Sequence, residues 1–244
     1  GFRVAAVLGD DVSAQLGPDT PLLEGMTIGE VGRAFLGANA YLGIDALLPA
    51  LDTGADLIIT GRVADPSLFL APQVDRFGWR LDDWDTLSAG TVTGHLMECA
   101  AQITGGYFAD PGVKEVTDLA RVGFPLAQIE ADGTASITKL SETGGIVDLR
   151  TVKEQLLYEV HDPSAYLTPD VTADFSTVRI TQTGPDVVRI QQASGRARPV
   201  RLKVTVAFDG GYLAEAGVSY AGDGAQARAE LAGQIVDERM RHVH

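Results

Sequence analysis

The sequence predicts an α/β parallel-sheet layer followed by an α+β part with antiparallel hairpins. Three observations lead there. Residues 1–125 alternate short apolar runs with helical patterns, as parallel strands with helices packed on them do. Residues 126–244 place strong turn pairs between short strand-like segments. The charge shifts at the same place, from 7 basic and 17 acidic residues before the boundary to 12 and 16 after it. The expected division is an α/β parallel-sheet domain over 1–125 and an α+β hairpin-rich domain over 126–244.

Arg3-Val-Ala-Ala-Val-Leu8 is an apolar run closed by Gly9-Asp10-Asp11, which reads as a buried strand. Ile44 to Leu51 reads as helix despite Pro49 and stops at Gly54. Asp56-Leu-Ile-Ile-Thr60 is a second buried strand, with a β-branched centre and Gly61 after it. Asp65-Pro66 opens a helix, and a longer one is expected from about Asp83 to Ile103, ended by Gly105-Gly106. In the second part, Leu126–Glu130 and Thr134–Lys139 flank the turn pair Asp132-Gly133. Thr151-Val-Lys-Glu154 has the form of a capping box for a helix ending near His161. Strands are expected at Phe175–Thr183, Val187–Gln192, Val200–Phe208 and Tyr212–Ser219. A last helix over residues 224–240 carries the apolar stripe Ala225, Ala229, Ala232 and Val236.

Composition excludes several classes. With 244 residues and 45% hydrophobic content the chain can bury a core without staples. The net charge of -14 repels nucleic acid and anionic membranes at long range, so neither is expected as a partner. The longest stretch free of Asp, Glu, Lys and Arg runs only from Thr86 to Met97, too short to span a bilayer. The single cysteine, Cys99, cannot close an internal disulfide, which points to a reducing, cytoplasmic setting. The chain starts Gly1-Phe-Arg-Val without an initiator Met, so the first domain is expected to be N-terminally truncated.

The first candidate site follows the second strand. Thr60-Gly61-Arg62 lies just past its carboxyl end, where open α/β sheets bind ligands. Gly61 lets a substrate approach closely, and the Arg62 guanidinium can fork onto a carboxylate or phosphate. Arg62 reads equally as a surface ion pair. Asp65 reads as a helix cap first and as a site residue second. Asp10, Asp11, Asn39 and Tyr41 can reach the same edge.

The second candidate is the long helix. Thr91, His95, Glu98 and Gln102 fall on one stripe, and Val92, Leu96, Ala100 and Ile103 on another that should face the core. A His and a Glu three residues apart can act as an acid–base pair. The plain alternative, favoured from spacing alone, is a solvated face. His-x-x-Glu supplies two metal ligands at most, so no metal is expected. Cys99 reads as a small buried residue rather than a nucleophile.

The third candidate is a pair of glycine turns. Gly105 and Gly106 offer backbone N–H groups to an anion, with a helix C-cap as the default reading. Thr143, Gly144 and Gly145 precede a helix and can hold a phosphate or carboxylate, with Lys139 near in sequence. Walker, dinucleotide and G-x-S-x-G motifs are absent, so the cofactor is left unknown. Arg196, Arg198, Arg201 and Lys203 form a basic cluster, best read as the wet side of a sheet. It could also take the phosphates of a coenzyme A forming part of the substrate.

An ordered set of segments carries a resemblance. It comprises Ala38-Asn-Ala-Tyr-Leu-Gly43, Asp56-Leu-Ile-Ile-Thr-Gly-Arg-Val-Ala-Asp-Pro66, Gly94-His-Leu-Met-Glu-Cys99 and Gln102-Ile-Thr-Gly-Gly-Tyr107 with Phe108. Lys139 with Thr143-Gly-Gly145, Glu154-Gln-Leu-Leu-Tyr-Glu-Val160, Tyr166-Leu-Thr-Pro-Asp-Val171, Asp174 and Phe175 complete it. Over essentially the whole chain these resemble the acyclic terpene utilisation (AtuA) family. The resemblance implies a setting in bacterial breakdown of citronellol- and geraniol-type terpenoids, beside acyl-CoA enzymes. It also implies a further α/β segment before residue 3. The expected partner is a small-molecule acid or acyl-CoA, with a homo-oligomer left open. The expected activity is a lyase- or hydratase-like proton transfer using His95, Glu98 and Asp65, with Arg62 holding the anion and Gly105-Gly106 an oxyanion. The competing expectation is a non-catalytic ligand-binding or assembly subunit.

Overall fold

The structure, a computed structural model, describes residues 1–243. β1 (Val4–Val7) leads through two 3-10 turns to β2 (Phe35–Ala40) and helix α1 (Ile44–Asp52). β3 (Leu57–Thr60) follows, then helices α2 (Asp65–Phe77) and α3 (Trp84–Met97). The hairpin β4 (Pro125–Ile129) and β5 (Ala135–Lys139) precedes α4 (Leu149–Leu157). Next come β6 (Tyr166–Leu167), β7 (Thr172–Asp174), β8 (Arg179–Gly184), β9 (Val187–Gln191), β10 (Ser194–Arg196) and β11 (Val204–Phe208). A helix, α5 (Ala225–Val243), closes the described chain.

The result is mixed α/β. β1 and β3 form a two-stranded parallel sheet, while β11-β2, β10-β7-β6 and β4-β5-β9-β8 are antiparallel. Residues 1–208 make one compact unit and the described residues from 209 on a second. The expected boundary at 125/126 lies inside the first unit, because α3 packs against α2, α4, β4, β7 and β10. Leu87, Val92 and Leu96 of α3 join Ile137, Val152, Val171 and Val188 in the core. At Gly94 an added Cβ would stand 2.6 Å from the Pro66 carbonyl oxygen, so the backbones of α2 and α3 touch there. No helix among the described residues is long and apolar enough to cross a membrane.

Several expectations need correction. β1 and β3 are not buried on both faces. Ala5, Val7 and Ile58 turn inward, but Val4, Leu57 and Ile59 are 58%, 52% and 56% exposed. A parallel pair is buried on both faces only when helices cover both. α3 stops at Met97, and the chain tightens into a 3-10 turn over Ala100–Gln102 after Ala100 takes φ 47°. α4 starts before Thr151: Asp148 is its cap, and in return the Asp148 N–H donates to the Thr151 hydroxyl oxygen. Phe175–Thr177 is a 3-10 turn held by Asp174, so β8 begins only at Arg179. β2 was not expected, and Tyr212–Ser219 has no regular structure. In α5 no residue is buried, so its apolar stripe stays open.

Candidate functional site

α3 decides the geometry. Other elements surround it, so Thr91, Val92, His95 and Leu96 are buried, Glu98 and Gln102 just past its end are half-buried, and the solvated-face reading fails. Thr91 and His95 are each 1% exposed, and the Glu98 side chain 11%. The His95 Nδ1 and Glu98 Oε1 atoms lie 3.0 Å apart. A carboxylate can only accept, so in the ionised pair the shared proton belongs to Nδ1. Gln155 of α4 donates its Nε2–H to the His95 carbonyl at 3.0 Å. The rings of Tyr166 and Phe175 each pack 5.3 Å from the imidazole.

The stripe is left short of partners. Thr91 Oγ1, His95 Nε2, Glu98 Oε2, Gln102 Nε2 and Gln155 Oε1 are buried and make no hydrogen bond. Buried polar atoms are almost always bonded, and each exception costs about 1–3 kcal/mol. Among the described residues only Gln73 Oε1 joins them, and it lies elsewhere. Burial pushes the Glu98 carboxyl above its ordinary pKa, against the opposing bond and charge of His95. Asp65 and Glu159 add repulsion. Burial, then the charges of Glu98, Asp65 and Glu159, hold the Tyr166 hydroxyl far above its usual range. Burial also raises the Cys99 thiol.

Asp65 is not the cap of α2. It is already the first helical residue, it is exposed, and Ala64 stands at the cap position with no side-chain bond. Its charge instead acts on Glu98 and Tyr166, which links it to the stripe.

Arg62 belongs to a separate rim. Asp10, 8% exposed, accepts the Arg62 backbone N–H at 2.7 Å and the Asn39 amide at 2.8 Å. The Arg62 N–H bond holds the Asp10 carboxyl below its ordinary pKa, against burial. An added Cβ on Gly61 would collide with that carboxylate, so only glycine fits after Thr60. This node ties the ends of β1, β2 and β3 together. The Arg62 guanidinium itself is exposed and stacks 5.3 Å from the Tyr41 ring, where Lys203 Nζ also lies at 5.0 Å. Among the described residues neither cation has a carboxylate partner.

The glycine turns pack against each other instead of facing an anion. Gly105 and Gly106 donate to the carbonyls of Gln102 and Ala101 at 3.1 and 2.9 Å. Thr143, Gly144 and Gly145 donate to Leu140, Arg121 and Thr117 at 3.2, 2.8 and 2.9 Å. Ile146 then donates to the Thr104 carbonyl at 2.8 Å, joining the two turns. Every N–H in question is taken, which leaves none for a phosphate or oxyanion. The Lys139 side chain is 5% exposed and is held by the Thr143 carbonyl at 2.9 Å and Asp186 at 3.5 Å. In the basic cluster, Arg198 pairs with Asp45 and Arg196 donates to the Ser164 carbonyl.

Gln155 and Tyr166 are the site residues that spacing could not supply. They sit on other elements, and no local pattern ties them to His95.

A family model described as acyclic terpene utilisation family protein AtuA matches residues 1–244, the whole chain. No curated protein and no solved structure shows a significant match.

Proposed function

The chain belongs to the acyclic terpene utilisation (AtuA) family, and on that premise we propose that it is an enzyme that moves a proton on a branched acid or acyl-CoA. Its involvement in acyclic terpene utilisation follows from the family. The single observation that supports the finer reading is the polar stripe that runs from α3 past its end, with buried atoms left unbonded. A structural network of this depth would satisfy itself. An incomplete one supports a reacting group or a water as the missing partner.

In this reading His95 Nε2 is the base, and Glu98 keeps the imidazole in the right tautomer and steadies the imidazolium once it forms. For hydration of a carbon–carbon double bond, a water oxygen bonds to one carbon as its proton passes to Nε2. That proton then goes to the neighbouring carbon, and nothing is oxidised or reduced. Tyr166 stays protonated throughout and can donate to a developing oxyanion. In this reading the substrate is long enough to span both places: Arg62 with Lys203, on the separate rim, would take the anionic end of an acyl-CoA while the acyl end meets His95.

The test is turnover of terpenoid acids and acyl-CoAs by the full chain. His95→Gln should lower kcat by about 100-fold or more, and Arg62→Ala should raise KM with little change in kcat. Unchanged turnover in a cooperatively melting His95→Gln protein would remove the stripe from the reaction and favour a binding or assembly subunit.

A further inference from the structure

The opposite face of α3 carries a second feature. Thr93 and Met97 project there into a groove between α2, α3 and β4, a cavity of about 360 Å³. That is at the small end of the roughly 300–1,000 Å³ typical of small-molecule sites. Phe69 and Phe77 of α2, Met97 of α3, and Ala127 and Ile129 of β4 form its apolar walls. Arg76 is the one charged residue of the lining, and among the described residues no carboxylate reaches it. Gln73 also lines the groove and is 5% exposed. Its Nε2 donates to the carbonyls of Phe69 and Gly90 at 2.9 and 3.4 Å, while its Oε1 has no partner.

We propose that this groove binds a small amphipathic carboxylate, its apolar chain against Phe69, Phe77 and Met97 and its acid group on Arg76. The argument is complementarity. An apolar concavity with a lone guanidinium selects a molecule that is apolar at one end and anionic at the other. The net charge of -14 opposes every anion at long range, and most strongly the many charges of a second copy or an anionic lipid surface; a single carboxylate needs only the local Arg76 guanidinium to offset it. The site is independent of the His95 stripe, which lies on the other side of the helix.

Calorimetric titration of the full chain with decanoate, and with 1-decanol as its neutral counterpart, tests the proposal. Decanoate should bind one to one and more tightly than decanol. Arg76→Ala should weaken decanoate about fivefold, the effect of a partly exposed ion pair, and leave decanol unchanged. Ala127→Phe should fill the groove and abolish both. Should that variant not melt cooperatively, Ile129→Trp takes its place. His95→Gln should bind both ligands normally, so this proposal and the catalytic one fail separately. No saturable binding, an unaltered decanoate affinity in Arg76→Ala, or binding that survives the filled groove would overturn it. So would a dimer of the wild type that Ala127→Phe disperses, which would assign the groove to a second copy.

Discussion

The Glu98 carboxyl sits in a place that disfavours its charged form. Its folded pKa lies above its unfolded value, so the folded state keeps the proton to higher pH. The cost is absent below the ordinary carboxylate range and grows as pH rises through the raised value. Glu98→Gln keeps an oxygen to accept from His95 Nδ1 and removes the charge. It should raise the melting midpoint at pH 7 by about 2–4 °C, what roughly 1 kcal/mol does in a domain of this size. The gain should vanish near pH 4. Calorimetry across that range decides it, and an equal difference at both ends would mean that the charge is not the cause. The His95–Glu98 couple was legible in the sequence because three residues is one helical turn. Its burial was not, since burial depends on what packs over α3 from β7, β10 and α4. The glycine pairs misled for the complementary reason: a free N–H and a bonded one look the same in sequence.

Among the elements, α1 shows how a helix can be capped from far away. Gly43 gives it no side-chain cap, and the buried Asp170 accepts the Ile44 N–H at 2.7 Å from 126 residues downstream. The same carboxylate takes the Ser67 hydroxyl of α2, so one side chain anchors the starts of two helices. Asp170→Ala should leave both donors without a partner and cost about 3 kcal/mol in urea unfolding at pH 7. Asp170→Asn keeps an acceptor and should cost clearly less; equal losses would show that packing, not hydrogen bonding, sets the effect. Local signals found α1, α2, α3 and the β4–β5 hairpin, because each carries its own periodicity or turn pair. They missed β2, whose Gly37-Ala-Asn-Ala40 stretch has no β-branched residue and becomes a strand only because β11 lies beside it. The reverse holds for Tyr212–Ser219, which has strand-like residues and no partner strand.

For the molecule as a whole, the core ends early. Its buried cluster extends no further than Ile190, and the partly buried residues against it no further than Ala193. A chain cut after Phe208 should therefore keep cooperative unfolding, with a midpoint within about 2 °C of the full chain in a thermal scan. A broad or lost transition would show that residues 209–243 support the first unit. The pairing of β2 with β11 sets Ala38 opposite Val206. Synthesis runs from the amino end, so on the ribosome the early strand waits for nearly the last one of its unit. Until Asp170 has left the exit tunnel α1 lacks its anchor, and until Phe208 has left it β2 has an open edge. From the emergence of β2 to that of β11 the nascent chain is thus incomplete, in the state that chaperones hold and proteases sample.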